Sequence, residues 1–150
     1  MQGYKKTYSL PFKFDIPNYS QLFIEENSSL KHYLKYLKRY IYIFLKRQNK
    51  HEVLKILPSH KKILWINLSA PSLGDSLMDL SNRVMLSDKN IDLFTNKKNA
   101  NLYANDQIFS NVYTLIEEVG KLQYDLVIID SYSTRSIKIK SNLAPLTPYI

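Results

Sequence analysis

The chain of 150 residues contains no cysteine, which excludes disulfides and makes a reducing cytoplasm the expected compartment. Glycine is almost as scarce, with three residues at 3, 74 and 120. Charges interrupt every apolar run well before the roughly 20 residues needed to span a bilayer. The opening Met1-Gln2-Gly3-Tyr4-Lys5-Lys6 lacks the apolar core and small-residue cleavage site of a signal peptide. A soluble or peripheral protein is expected. His32, His51 and His60 are scattered without the spacing of metal ligands, so no metal site is expected. The nucleophile elbow G-x-S-x-G, the Walker loop and the dinucleotide G-x-G-x-x-G are all missing, which removes the basis for hydrolase or dehydrogenase readings.

The sequence does contain an uneven charge. Residues 1–62 hold 13 Lys/Arg against 4 Asp/Glu, whereas residues 63–150 hold 8 against 9. The whole net charge of +8 therefore belongs to the first two-fifths of the chain. This pattern suggests a basic appendage with a partner of its own, attached to a near-neutral domain. The total length suits one domain with a real core.

Residues 1–28 carry Pro11 and Pro17 without a sustained period and read as an irregular arm. From Ser29 the pattern changes: Leu30, Leu34, Leu37, Ile41 and Phe44 recur at spacings of three and four. Lys31, Lys35, Lys38, Arg39 and Lys46 lie on the opposite side of the helical wheel. An amphipathic helix of about five turns is expected, capped by Ser28 or Ser29. After Lys61 apolar runs alternate with helical patterns. Strands are expected at 62–69, 91–95, 111–115 and 125–130, and helices at 75–85, 96–105 and 116–122. Such alternation predicts an α/β fold, a Rossmann-like parallel sheet with flanking helices over residues 61–150. Residues 1–60 form the arm and basic helix in this division.

Two segments stand where an α/β fold puts its chemistry, at the carboxyl ends of strands. The first is Asn67-Leu68-Ser69-Ala70-Pro71-Ser72-Leu73-Gly74-Asp75-Ser76. Gly74 would let backbone approach a ligand, and Asp75 would take a proton from a sugar hydroxyl. The spacing Ser72-x-x-Asp75 equally suits a capping box, which needs no substrate. The second runs from Tyr124 to Ser136 and ends an apolar strand in Asp130, with Arg135 five residues later. Arg135 is suited to clamp a phosphate or carboxylate, or to pair with Asp130 or Asp125 as a structural salt bridge.

Together, Lys62 to Ser76 and Tyr124 to Ser136 resemble the N-terminal half of the family 9 glycosyltransferases, the lipopolysaccharide heptosyltransferase type. That family opens with a Lys-x-Ile-Leu strand, a Ser-rich turn and Leu-Gly-Asp. Its later Tyr-Asp-Leu-Val-Ile-Asp strand leads to a turn ending in Arg-Ser. Ile91-Asp92-Leu93-Phe94 with Asn99-Ala100 is similar to the family's second strand and helix. The resemblance implies the first domain of a two-domain enzyme, with Asp75 as general base and Ser69, Ser72, Gly74 and Arg135 at the acceptor. It implies a nucleotide-sugar donor as substrate, a lipid-linked oligosaccharide as acceptor, and no cofactor. This chain departs from the pattern at Asn67, where a basic residue is usual, at the added Pro71-Ser72, and at Tyr132-Ser133 in place of Gln-Gly. The donor is held by a C-terminal domain for which 150 residues leave no room, so a half inactive alone is expected. The rival expectation is a non-catalytic α/β binding module.

For the basic helix, three readings stand open: an anionic membrane surface contacted by Lys31, Lys35, Lys38, Arg39 and Lys46; ordinary packing on the domain; or nucleic acid, for which no recognised module is present. A former inter-domain face left exposed would also favour a homo-oligomer.

Overall fold

A computed structural model describes residues 30–150 apart from 69, 71, 121, 131 and 132, with side chains in the first helix described at 34 and from 37 onward. The expected arm and the cap positions 28 and 29 lie outside the described residues. The chain divides into two compact units, Met1–Lys38 and Arg39–Ile150.

That helix, α1, spans Leu30–Leu45. A single turn of 3₁₀ helix follows at Gln48–Lys50, entered through Arg47 in the left-handed conformation (φ 53°). The strands are β1 (Lys62–Asn67), β2 (Asn90–Thr95), β3 (Phe109–Tyr113) and β4 (Leu126–Ile129). The helices between and after them are α2 (Leu73–Asp79), α3 (Lys97–Tyr103), α4 (Ile116–Val119) and α5 (Thr134–Leu143). All strand pairs are parallel, in the order β3-β2-β1-β4. The α/β, Rossmann-like architecture expected from the alternation is what the chain adopts.

The strands are legible because parallel strands are buried on both faces and so read as continuous apolar runs. Ile63, Leu64 and Ile66 of β1 are wholly buried, as are Leu126 and Val127 of β4. One core cluster joins Ile63, Trp65, Leu93, Leu126 and Ile128 to Leu80 and Tyr103 from the helical side. Truncating a buried leucine such as Leu80 to alanine removes about 2–5 kcal/mol in comparable cores.

Several details differ from expectation, among them the helix α5, which follows β4 where none was expected. The helix expected over 75–85 is broken: α2 ends at Asp79, and Ser81–Leu86 continues as 3₁₀ helix. Ser81 and Asn82 compete with helical backbone bonding. Arg83 then anchors the 3₁₀ turn, its Nε donating to Asp106 Oδ2 at 2.7 Å. β3 starts two residues early, since Phe109 packs its edge on Tyr103 (centroids 5.5 Å apart), with a register shift opposite Ile91/Asp92. The free edge of β4 is also covered. Tyr149 bridges in parallel to both Val127 and Glu52, so segments around 149 and 52 extend the sheet outward. None of the helices among the described residues is long and apolar enough to cross a membrane.

Candidate functional site

Strand order fixes where this sheet can bind. From β1 the chain crosses over to β2 and β3 on one side, while β4 lies on the other. The crevice between the carboxyl ends of β1 and β4 is therefore the topological switch point, where such sheets take ligands. The segments after β1 and β4 leave the sheet side by side here, since Ile66 is in register with Ile129 and Asp130 N donates to Ile66 O at 3.1 Å.

Asn67, the last residue of β1, is the centre of this crevice and is fully buried. Its Nδ2 donates to Asp130 Oδ2 at 3.3 Å and to Asp79 Oδ2 at 3.4 Å. Its Oδ1 accepts from Ser76 Oγ at 2.7 Å, and Ser76 Oγ shares a 2.9 Å bond with Tyr103 OH. Its backbone carbonyl accepts from Thr95 Oγ1 at 2.8 Å. Two carboxylates from different elements thus share one amide group. Burial raises the pKa of Asp79, the charge of Asp75 one turn earlier pushes the same way, and the Asn67 bond opposes both. A base gains proton affinity from such a setting.

Asp75 sits at the first turn of α2. Ser72 Oγ accepts from Asp75 N at 3.2 Å, while Asp75 Oδ2 accepts from Ser72 N at 3.1 Å and from Ser72 Oγ at 2.6 Å. The capping box read from the spacing is formed in full. Gly74 lies beside it without positive φ, and a Cβ there would meet nothing nearer than Ser72 Oγ at 3.7 Å. The packing of the chain around it does not require a glycine. Across the crevice, Ser133 caps α5 by accepting from Ser136 N at 3.0 Å, and Arg135 is exposed in its first turn. Asp125 lies at the other end of β4, where its Oδ2 accepts from Lys61 N and Lys62 N, so the salt bridge considered between it and Arg135 is not formed. Ser69 lies outside the described residues.

The sheet thus gathers Ser72, Gly74, Asp75 and Arg135 at one edge, and sequence reasoning missed the network beside them, in which buried Asn67, Ser76, Thr95 and Tyr103 meet the exposed Asp79. The one available signal was a polar residue ending each apolar strand: Asn67, Thr95 and Asp130.

Lys38 and Lys46 are exposed, whereas the side chains of Lys31 and Lys35 are not described. Arg39, expected on the exposed basic face, is only 5% exposed. The physical reason is the helix's orientation: Arg39 and Ile43 point inward, and Tyr42 OH shares a 3.0 Å bond with Ser141 Oγ of α5. Among the described residues no group of three His, Asp or Glu is placed to hold a metal ion. Compared with protein-family models, curated proteins and solved structures, the chain matches none.

Proposed function

We propose that this chain is the acceptor-binding domain of a heptosyltransferase-type sugar transferase, acting on a lipid-linked oligosaccharide. One observation supports this most: the two segments that resemble the family, residues 62–76 and 124–136, converge at the switch point of the sheet. In the proposed reaction Asp75 takes the proton of an acceptor hydroxyl. The hydroxyl oxygen attacks the anomeric carbon of a nucleotide sugar, and the bond to the nucleoside diphosphate breaks. Arg135 holds a phosphate of the acceptor. Gly74 keeps the approach to α2 clear, which accounts for a glycine that local packing does not require. The donor would be held by a second domain or chain, because both substrates must be fixed in reacting geometry.

The test uses the purified chain with a phosphorylated oligosaccharide acceptor, followed by NMR, and a panel of nucleotide sugars assayed for nucleoside diphosphate release. Acceptor should perturb residues 72–76 and 133–136 together, and Arg135→Ala should abolish the shifts. Gly74→Ala should block acceptor while stabilising the free fold by about 0.5–1 kcal/mol, as alanine does in helices. If acceptor at millimolar concentration leaves both segments unmoved, the proposal is wrong. With a donor domain supplied, Asp75→Asn retaining normal turnover would remove Asp75 as the base.

A second reading, a non-catalytic interaction module, has its own support. Asp75 Oδ2 is already occupied twice by Ser72, and a neutral Asn67 stands where the family carries a cation. Acceptor binding without transfer, in the presence of a competent donor domain, would favour it.

A further inference from the structure

The second half of the amphipathic helix α1 turns its apolar stripe to the surface of its own unit and its opposite side inward. Ile41, Phe44 and Leu45 are exposed, the last two by 64% and 71%, as are Leu34 and Leu37 earlier on the same stripe. At 100° per residue these five fall within about 100° of arc, the width of an apolar face. Arg39 and Ile43, which are buried, lie on the opposite side of the wheel. Ordinary amphipathic packing would reverse this, with leucines inward and cations out.

We propose that α1 lies in the plane of an anionic phospholipid surface, stripe inward. Residues 30–50 contain seven Lys/Arg and no Asp or Glu, so the sequence of the helix and the turn after it is strongly basic. Exposed Lys38 borders the stripe on one side and half-exposed Tyr40 borders it on the other, an arrangement suited to headgroups and to the aromatic-rich interfacial layer. A second copy of this chain fits poorly, because pairing the stripes would set two like-charged helices together. Nucleic acid would engage the cations and leave the leucines in water. With 16 residues, α1 is about 24 Å long and lies along a surface rather than through it. This inference rests on α1 and is independent of the sugar-transfer reading.

The experiment is co-sedimentation of the whole chain with vesicles of phosphatidylcholine containing one quarter phosphatidylglycerol, against pure phosphatidylcholine. Binding should require the anionic lipid and weaken with salt. Phe44→Asp should lower partitioning at least tenfold, and Lys38→Ala about fivefold, the effect of one lysine near an anionic surface. Leu45→Asp serves as a second variant, and circular dichroism checks that each is folded. Equal partitioning into both vesicle types, no partitioning, or an unaffected Phe44→Asp variant would overturn the proposal. So would light scattering that shows a dimer without lipid which Phe44→Asp dissociates.

Discussion

Asn67 and Lys140 are buried equally well, yet they solve opposite problems. At the carboxyl edge of the sheet, one neutral amide serves two carboxylates, Asp79 and Asp130. Near the far edge a cation is served by neutral groups. Lys140, 1% exposed, donates from Nζ to Gln48 Oε1 at 2.6 Å and to Pro145 O at 3.4 Å, and stands 4.8 Å over the Tyr149 ring. It ties the 3₁₀ turn, α5 and the segment beside β4 into one assembly. Burial without a counter-charge draws its pKa down to about 8. The contrast teaches that buried polarity can join distant segments through a cation at one place and through a neutral amide between carboxylates at another. The carboxyl edge keeps acceptors facing a crevice, whereas Lys140 has every partner inside the protein.

The largest expected effect comes from the lysine. Its ordinary pKa of 10.5 applies in the unfolded chain, so between pH 8 and 10.5 the unfolded state binds more protons. Stability should therefore rise across that interval, by about 3 kcal/mol in total. Lys140→Met should erase the rise and be neutral or stabilising at pH 7, as replacements of buried charge often are. Urea unfolding of both proteins from pH 7 to 10.5 measures this. Tyr124, whose hydroxyl donates to Asp92 Oδ2 at 3.0 Å, is pushed up by burial and opposes the rise above pH 10. Because both proteins carry Tyr124, the difference between them isolates Lys140.

Next in size is Asn67→Ala, which leaves Ser76 Oγ, Asp79 and Asp130 short of a partner and should cost about 2 kcal/mol in the same assay. If it costs nothing, the network is incidental and the contrast with Lys140 collapses. Ser72→Ala removes the cap of α2 and should cost about 1 kcal/mol. The smallest effect belongs to Asp79. Its folded pKa lies above its ordinary value of 3.8, so stability falls as pH rises through the interval just above 3.8. Asp79→Asn should flatten that fall and gain a few tenths of a kcal/mol at neutral pH, a size set by solvent screening. Acid titration of its thermal unfolding checks the sign.

The parts legible in the sequence were those governed by local pattern. β1, β2 and β4 follow from apolar runs, α1 from its periodicity, and the Ser72–Asp75 capping box from a four-residue spacing. What escaped depends on distant residues. Asn67 meets Asp130 across 63 positions, a pairing no period encodes. Residues 52 and 149 pair through single bridges too short to show a pattern. α5 carried a partial signal: Ile137, Lys140, Ser141 and Ala144 repeat at three and four, so Lys140 occupies a position on the buried face. The side of α1 that turns inward was the least legible, because amphipathicity defines two faces and does not say which one meets protein.

The bridge between residues 52 and 149 has a mechanical consequence. These segments run parallel and are neighbours, with Val53 N donating to Tyr149 O and Tyr149 N to His51 O, both at 2.8 Å. A pull between α1 and Ile150 would slide them along each other and load both bonds at once, rather than peel them apart in turn. If α1 is fixed to a surface, tension crosses this shear clamp together with the bonds that tie Ile150 to Val127 and Ile129 of β4.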